Sequence, residues 1–282
     1  MTALLVGYGL PVALASYWFW SMRRRRLQRA ESARRLQVEV RDRESGIAEQ
    51  PEEASLTDPL TGLGNRRYLQ NMLTQFASGA GVSRPGPDAP VPSMMLMVVH
   101  LDFLKPINDV HGHQDGDRIL TQVAEILRDC CRAGDYAARW RGDEFVIAYL
   151  HADLRGAEAL AERLRSRIAK HSFRLSDGRV ARTSCSIGFA RYPFVLEAPA
   201  LLSWKQCLDM ADAALSHAKK RRNTWLGWAG NAAAARAEDL LRAVETDPGI
   251  LESDGRFDVR RPQFESEDTV DHLRVAAGSG GD

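Results

Sequence analysis

RWRGDEFVIAYL, residues 139–150, is the stretch of sequence that decides the fold. An Arg-Gly pair leads into two adjacent carboxylates, Asp143 and Glu144, and a run of apolar and β-forming residues follows them. The segment DYAARW, which ends at Trp140, also leans apolar. Two strand-like segments on either side of a turn that contains glycine predict an antiparallel β-hairpin with both carboxylates beside its tip.

The two adjacent carboxylates repel each other, and the hairpin alone allows two interpretations of them. Charges at an exposed hairpin tip can simply be solvated. Alternatively, a bound cation neutralises them, since hard cations such as Mg²⁺ prefer oxygen ligands. The second interpretation requires more polar residues at the same edge of the sheet.

Helical and strand-like patterns alternate around the hairpin. The predicted helices cover about residues 65–76, 114–131, 154–170 and 202–222. The other predicted strands cover about residues 93–103, 179–193 and 224–228. This order predicts an α/β (α+β) sheet that contains the antiparallel hairpin and is covered by helices.

The segment VVHLDFLKPINDVHGHQDGDRIL, residues 98–120, supplies further polar residues. A buried strand is predicted to end near Asp102, and a polar connection with two glycines leads into the next helix. Such connections often carry sites, because rigid elements hold them on both sides. We expect this strand end and the hairpin tip to face each other across neighbouring strands.

The first 22 residues, MTALLVGYGLPVALASYWFWSM, carry no charged side chain and are long enough to cross a bilayer as a helix. Four arginines follow at residues 23–26, which predicts a single-pass membrane anchor with the rest of the chain cytoplasmic. A cleaved signal peptide is the rival interpretation, but its positive charge would precede the apolar run. Residues 23–54 are predicted to be a charged juxtamembrane helix or linker.

The composition excludes some functions and leaves the end of the chain without one. A net charge of +1 gives no strong field for polyanions, so we expect no nucleic-acid partner. The four cysteines lack metal-binding spacing and are predicted to be reduced thiols, mostly in the core. Residues 229–282 are predicted to form a short Ala-rich helix, at about 232–244, followed by a loose polar tail.

Five motifs in order resemble those of the GGDEF family, the diguanylate cyclases. They are DPLTGLGNRRYL, LDFLKPINDVHGHQDGD, RGDEF, CSIGFA and ADAALSHAKKRRN, and the resemblance covers about residues 55–228. The resemblance implies a sheet similar to the palm of nucleotide cyclases and polymerases. It also implies a homodimer through this domain, in which each subunit holds one GTP. The 3′-hydroxyl of each GTP would attack the α-phosphate of the other, giving cyclic di-GMP and two pyrophosphates.

The resemblance also implies roles for individual residues. Mg²⁺ would be held at the hairpin tip and the strand end by four residues: Asp143, Glu144, the backbone carbonyl of Leu101, and the position of His100. Glu144 would alternatively be the base for the 3′-hydroxyl, and Lys105 would stabilise phosphate charge. The substrate-binding residues would be Asn108, His113, Asp117, Gly142, Lys219 and Arg222.

Three departures from the family pattern bear on activity. His100 stands where the family usually has an aspartate metal ligand, which predicts weaker Mg²⁺ binding, a preference for Mn²⁺, or loss of activity. Arg141 replaces the first glycine of the signature, where it would either crowd the phosphates or lend them positive charge. The motif AKKRRN is one residue shorter than the usual one, which places Arg222 in an altered register.

The sequence RAGD, from Arg132 to Asp135, lies at the family's spacing for an inhibitory product site. Arg163 stands where the family has a secondary arginine for that site. The resemblance implies that cyclic di-GMP binds there, with arginine forking onto phosphate or guanine.

Two functions follow from these observations. The first is a membrane-anchored diguanylate cyclase with product feedback. The second is a GGDEF-like domain impaired by His100 that acts as a cyclic di-GMP receptor through Arg132. A purely structural or dimerisation role is the remaining alternative. The intact residues Asp143, Asn108 and Asp117 favour the enzyme.

Overall fold

A computed structural model describes residues 55–79, 91–151, 153–231 and 255–262. The strands are β1 (Gly64–Asn65), β2 (Met94–Leu101), β3 (Tyr136–Arg141), β4 (Glu144–Leu150), β5 (Phe173–Arg174), β6 (Val180–Ala181), β7 (Cys185–Tyr192), β8 (Trp225–Gly230) and β9 (Phe257–Arg260). The helices are α1 (Arg66–Ala77), α2 (Leu104–His111), α3 (His113–Cys130), α4 (Leu154–Lys170) and α5 (Trp204–Ala218).

Seven strands form the main sheet in the order β1-β3-β4-β2-β7-β8-β9, and β5 pairs with β6 apart from it. β2 lies in the middle and runs antiparallel to both β4 and β7. β3 and β4 form the antiparallel hairpin that the sequence predicts. The prediction of a mixed α/β sheet with a hairpin inside it is therefore confirmed.

Helices cover both faces of the sheet, and β2 is buried between them. Its odd-numbered residues from Met95 to Leu101 belong to the core shared with α3 and α4. Its even-numbered residues from Met94 to Val98 belong to the core shared with α1 and α5. Burial on both sides explains why this strand is a continuous apolar run. By the same alternation, His100 faces the side of the sheet that α5 covers.

Polar residues fix where several helices begin. The Asn65 side chain accepts the backbone N–H of Tyr68 and caps α1. Asp153 caps α4 in the same way through the N–H of Gly156. Ser203 and Gln206 form a reciprocal capping box at the start of α5. These caps explain why the helices predicted near residues 65, 154 and 202 begin within two residues of those positions.

Two predicted segments differ from the structure in the middle of the chain. The polar connection after β2 contains a helix of its own, α2, in which Pro106 lies in the tolerated first turn. Gly112, with φ of +85°, separates α2 from α3. The strand predicted over 179–193 is divided, because Val180–Ala181 pairs with β5 and only Cys185–Tyr192 joins the main sheet.

The predicted loose tail also differs, because β9 pairs antiparallel with β8 and extends the sheet. Phe257 is buried and packs edge-on against Phe194, which gives this short strand an apolar anchor. The helix predicted at about 232–244 lies outside the described residues.

The N-terminal predictions lie outside the described residues as well. These are the membrane span at 1–22 and the juxtamembrane segment at 23–54. Within the described ranges, no helix combines the length and apolar character needed to cross a bilayer. The four cysteines are all described and unpaired, and Cys130, Cys185 and Cys207 are buried, as the sequence predicts.

Candidate active site

The end of β2 and the tip of the hairpin meet at one edge of the sheet. His100 lies directly opposite Glu144 on β4 and opposite Ser186 on β7. The backbone N–H of Leu101 donates to the carbonyl of Asp143 at 3.2 Å, which ties the tip to the strand end. The expectation that these two segments face each other is confirmed.

The tip itself is a tight turn whose shape depends on Gly142. This residue has φ of +50°, and a side chain there would meet no atom within 4 Å. Its carbonyl accepts from Nε of Arg139 at 2.9 Å, and Nη1 of Arg139 also lies 3.4 Å from Oδ2 of Asp58, in the segment before β1. Glycine is favoured here by the backbone conformation, and the open space beside it leaves room for a ligand.

His100 and Asp143 lie in contact at this edge, with Nε2 and Oδ2 3.4 Å apart. Burial lowers the pKa of His100, and this effect outweighs the opposing influence of Asp143. The imidazole is therefore neutral at pH 7, because its ordinary pKa is already below that value. Its Nδ1 atom is buried without a hydrogen-bond partner.

Glu144 is held by two cations. Nε of Arg141 lies 2.5 Å from its Oε2, and Nη2 of Arg141 lies 3.4 Å from its Oε1. Nζ of Lys219 lies 3.8 Å from Oε1. The Glu144 side chain is only 10% exposed, whereas that of Arg141 is 66% exposed. The hydrogen bond to Glu144 raises the pKa of Arg141, whose positive charge is thereby fixed.

Asp212 on α5 is a member of the site that sequence reasoning missed. Desolvation raises its pKa, the negative charge of Glu144 adds to that effect, and Arg141 and Lys219 oppose it. A sequence signal for Asp212 exists, since it lies seven residues before Lys219, which is two helical turns along one face.

The donor set fits a divalent cation that arrives with a phosphate ligand. Within the described residues, no group of three or more His, Cys, Asp or Glu side chains is placed to hold a metal. Mg²⁺ usually takes one or two carboxylates and completes its shell with water and substrate phosphates. Asp143 and Glu144 can supply that share. Participation of the Leu101 carbonyl stays a prediction.

Asp102 does not replace the carboxylate that His100 lacks. It is buried, and its oxygens accept from the hydroxyls of Ser184 and Ser186 at 2.6 and 2.8 Å. It also accepts the backbone N–H of Asn223 at 3.1 Å. Because these three donors use the carboxylate, Asp102 anchors the loop after α5 rather than facing a ligand.

A second group of predicted residues lies on α2 and the start of α3. The Asn108 side chain packs over Gly116 so closely that a Cβ on this glycine would lie 1.8 Å from Asn108 Oδ1. This oxygen is buried and has no donor. His113 and Asp117 lie one turn apart on α3, and Lys105 lies on α2, all three exposed to solvent.

The structure separates Lys219 from Arg222. Lys219 lies at the end of α5 and reaches Glu144, as described above. Arg222 instead lies over the ring of Phe103, with its guanidinium carbon 4.0 Å from the ring centroid. Both Phe103 and Arg222 have positive φ values, so two tight turns meet beside the site.

The three predicted allosteric residues are engaged in internal contacts. Arg132 donates to the carbonyl of Leu150 at 2.7 Å and lies over the Tyr149 ring at 4.3 Å. Asp135, 1% exposed, accepts the N–H of Leu150 at 3.1 Å and that of Arg132 at 3.0 Å. Arg163 donates to the carbonyl of Cys130 at 2.6 Å.

Beside Arg132 a groove of about 530 Å³ opens between the RAGD turn and the segment from Leu56 to Tyr68. Its lining includes Leu56, Gly64, Tyr68, Arg128, Arg132 and Asp135. The groove places Arg132 and Asp135 at a concave surface.

Comparison with known proteins agrees with this geometry. The family model for the diguanylate cyclase GGDEF domain matches residues 55–224. Diguanylate cyclase A of Treponema denticola is 32% identical over 168 residues, which are 60% of this chain and 43% of that protein. Diguanylate cyclase DosC of Escherichia coli is 34% identical over 164 residues, 58% of this chain and 33% of that protein.

Among solved structures, the diguanylate cyclase SiaD of Pseudomonas aeruginosa in complex with its activator SiaC has a similar fold. Its TM-score is 0.52 at 28% identity, over 76% of this chain and 81% of that chain. This chain spans less than half the length of each of these two curated relatives.

The sheet, with its hairpin carboxylates beside the end of a central strand, is a nucleotide-cyclase type of palm. The chain belongs to the GGDEF-domain family of diguanylate cyclases. Members of this family generally need a divalent metal ion.

Proposed function

We propose that the chain condenses two GTP molecules into cyclic di-GMP and two pyrophosphates. The observation that carries this proposal is the adjacency of Asp143 and Glu144 at the hairpin tip, tied by a hydrogen bond to the end of β2. In the reaction, a bond forms between the 3′-oxygen of one GTP and the α-phosphorus of the other. The bond between the α- and β-phosphates breaks, and pyrophosphate leaves.

The guanine would lie at Asn108. Its buried Oδ1 lacks a donor, and guanine offers N–H groups that match such an acceptor. Asp117 and His113, exposed one turn apart on α3, would contact the base edge and the ribose. Gly116 allows Asn108 to lie against α3, so this glycine would shape the guanine site without touching the base.

Asp143 and Glu144 would hold the divalent cation together with phosphate oxygens of GTP. The cation would supply charge neutralisation at the triphosphate. Lys105 and Lys219 would add positive charge to the phosphates. In its alternative role, Glu144 would accept the proton of the 3′-hydroxyl instead of binding the cation, once it is free of Arg141.

We infer that His100 shifts the preferred cation from Mg²⁺ towards Mn²⁺. Its Nε2 lies next to Asp143, at the place where a carboxylate would complete an oxygen-rich site. Imidazole nitrogen suits softer divalent ions better than Mg²⁺.

The reaction requires a homodimer, because one domain of this type presents one set of guanine and phosphate residues. Two domains meeting face to face would bring each 3′-hydroxyl to the partner's α-phosphate. The N-terminal segment 1–22 would anchor this assembly in the bacterial inner membrane, with the domain in the cytoplasm.

Product inhibition is proposed at Arg132, Asp135 and Arg163. This proposal is supported by the groove beside the RAGD turn, which the positively charged guanidinium of Arg132 lines. Because Arg132 is bonded to the Leu150 carbonyl, cyclic di-GMP would have to replace that contact. A receptor without synthetic activity is not favoured, since both hairpin carboxylates and Asn108 are present.

The test is product analysis with the full-length chain incubated with GTP, in Mg²⁺ and separately in Mn²⁺. Bound cyclic di-GMP is first removed, and products are separated by chromatography. We expect one cyclic di-GMP for every two pyrophosphates, and a faster reaction in Mn²⁺. GTP that remains unchanged in both metals would contradict the proposal.

A further inference from the structure

Arg141 is the positively charged residue of the hairpin tip, which also carries the two carboxylates Asp143 and Glu144. Its guanidinium holds both oxygens of Glu144, at 2.5 and 3.4 Å, in a forked geometry typical of strong arginine–carboxylate pairs. The two residues are three apart along the chain and face each other across the irregular step in the β3–β4 register. Glu144 therefore already has a counter-ion.

The position of Arg141 allows this counter-ion to leave. Its side chain is 66% exposed, whereas the Glu144 side chain beneath it is 10% exposed. The neighbouring Gly142 has open space around it, with no atom within 4 Å of a Cβ there. A rotation of the Arg141 side chain would uncover Glu144 without movement of either strand.

The local charges indicate why two states are possible. Asp143, Glu144 and Asp212 contribute three carboxylates, and Arg141 and Lys219 contribute two cations. These cations already offset most of the negative charge that would attract a free divalent ion. Removing Arg141 from Glu144 frees Oε2, while Lys219 stays 3.8 Å from Oε1, and it leaves a free guanidinium at the mouth of the same site.

We propose that Arg141 is an exchangeable counter-ion, which competes with the divalent cation for Glu144 and passes to the phosphates of the incoming nucleotide. The inference rests on the proposed function, because a metal-bound nucleoside triphosphate supplies both the competing cation and the phosphates. Because Arg141 competes for Glu144, the site without nucleotide would bind a metal ion weakly. The site would bind the metal ion more tightly when a nucleotide is present to take up Arg141.

The test measures two affinities in the full-length chain and in Arg141→Gln, which keeps most of the side-chain length and removes the charge. Binding of Mn²⁺ alone is followed by electron paramagnetic resonance. Binding of a GTP analogue with a non-cleavable α,β-bridge is followed by calorimetry at saturating Mn²⁺. We expect Arg141→Gln to bind Mn²⁺ about tenfold more tightly and the analogue about fivefold more weakly.

These opposite shifts distinguish counter-ion exchange from a structural role, which would move both affinities in the same direction. Arg141→Lys keeps the charge without the fork and is expected to fall between wild type and Arg141→Gln in both measurements. Arg167→Ala removes a guanidinium that pairs with Asp129 on other elements, and it should change neither affinity. Asp143→Asn identifies the Mn²⁺ signal that belongs to this site.

The inference is overturned if Arg141→Gln matches wild type within twofold in Mn²⁺ affinity. It is equally overturned if no Mn²⁺ site sensitive to Asp143→Asn is found in Arg141→Gln. Both readouts are binding measurements, so they are independent of turnover. Opposite shifts without product from GTP would retain the inference and reject the proposed reaction, and product without the shifts would do the reverse.

Discussion

Nε2 of His100 lies 3.4 Å from Oδ2 of Asp143, at the junction of β2 and the hairpin tip. A neutral imidazole thus lies at the same edge of the sheet as the carboxylates Asp143 and Glu144. Because His100 lies beside a candidate metal ligand, we expect a single substitution of His100 to change which metal ion the site prefers.

His100→Asp is predicted to raise the Mg²⁺-supported rate about tenfold, which corresponds to about 1.4 kcal/mol in the barrier. The added carboxylate gives Mg²⁺ a third oxygen ligand of the type it prefers. The ratio of initial rates in Mg²⁺ and Mn²⁺ measures the effect. His100→Asn is the control, since it removes the imidazole without adding charge, and a similar gain in that variant would contradict the explanation.

The pH dependence of stability is predicted to report the burial of His100. Its pKa is lowered by burial, so the unfolded chain binds the proton more readily than the folded one. The contribution of His100 to the free energy of unfolding is therefore fully present above the ordinary histidine pKa of 6.5. It is lost as the pH falls below that value. His171 has a lowered pKa for the same reason and contributes to the same decrease.

We expect His100→Asn to have a smaller loss of free energy of unfolding between pH 6.5 and more acidic conditions than wild type. Denaturant titrations at a series of pH values measure the slope of the free energy of unfolding against pH. A slope as steep as that of wild type would mean that His171 and other groups account for the whole effect.

Gly116→Ala is predicted to weaken GTP binding without weakening the fold. Alanine favours the interior of α3 by about 1 kcal/mol over glycine, but its Cβ would displace the Asn108 side chain. We expect the KM for GTP to rise about tenfold, as it would in Asn108→Ala, while the melting temperature stays the same or rises. Gln114→Ala, exposed on the first turn of α3, is the matched control. An unchanged KM in Gly116→Ala would remove Asn108 from the guanine site.

Asp102→Ala is predicted to destabilise the domain by about 3 kcal/mol, because it leaves two hydroxyls and the Asn223 N–H without their buried acceptor. Thermal or denaturant unfolding measures this loss. The exposed Asp177→Ala serves for comparison and should cost far less. Equal losses in the two variants would contradict the anchoring role of Asp102.

Arg132→Ala is predicted to raise the concentration of added cyclic di-GMP that halves the rate, by at least about tenfold. The reason is the loss of the guanidinium that would grip the product's phosphate or base. Arg128→Ala, in the same groove but outside the RAGD turn, is the control. Inhibition of equal strength in wild type and Arg132→Ala would place feedback at another site.

The sequence predicts most of the sheet because its segments have strong local signals. The hairpin follows from two apolar segments around a glycine turn, and the continuous apolar run of β2 follows from burial on both faces. The helices α1, α4 and α5 follow from their capping residues and apolar spacing.

The differences arise where structure depends on contacts distant in sequence. β9 has only four residues, and its strand conformation depends on pairing with β8 and on Phe194. Helix α2 follows a polar, proline-containing segment that reads as a connection, and its apolar residues Leu104 and Ile107 gain their support from the core.

The sequence predicts which residues belong to the site better than it predicts how they contact one another. Asp143, Glu144 and Lys219 come together as the motifs indicate. The pairing of Arg141 with Glu144 depends on the register shift in the hairpin, and Asp212 joins only through the packing of α5 on the sheet. The seven-residue spacing from Lys219 places Asp212 on the same helical face, but it does not show that this face lies against Glu144.

The central claim, that the hairpin carboxylates form the catalytic centre, is tested most directly by Asp143→Asn in the full-length chain. Cyclic di-GMP formation is measured in Mn²⁺ beside wild type and Asp177→Asn, an exposed aspartate of a separate turn. The account predicts a loss of at least about a thousandfold in Asp143→Asn and a wild-type rate in Asp177→Asn. Product formation by Asp143→Asn at a rate near that of wild type would contradict it.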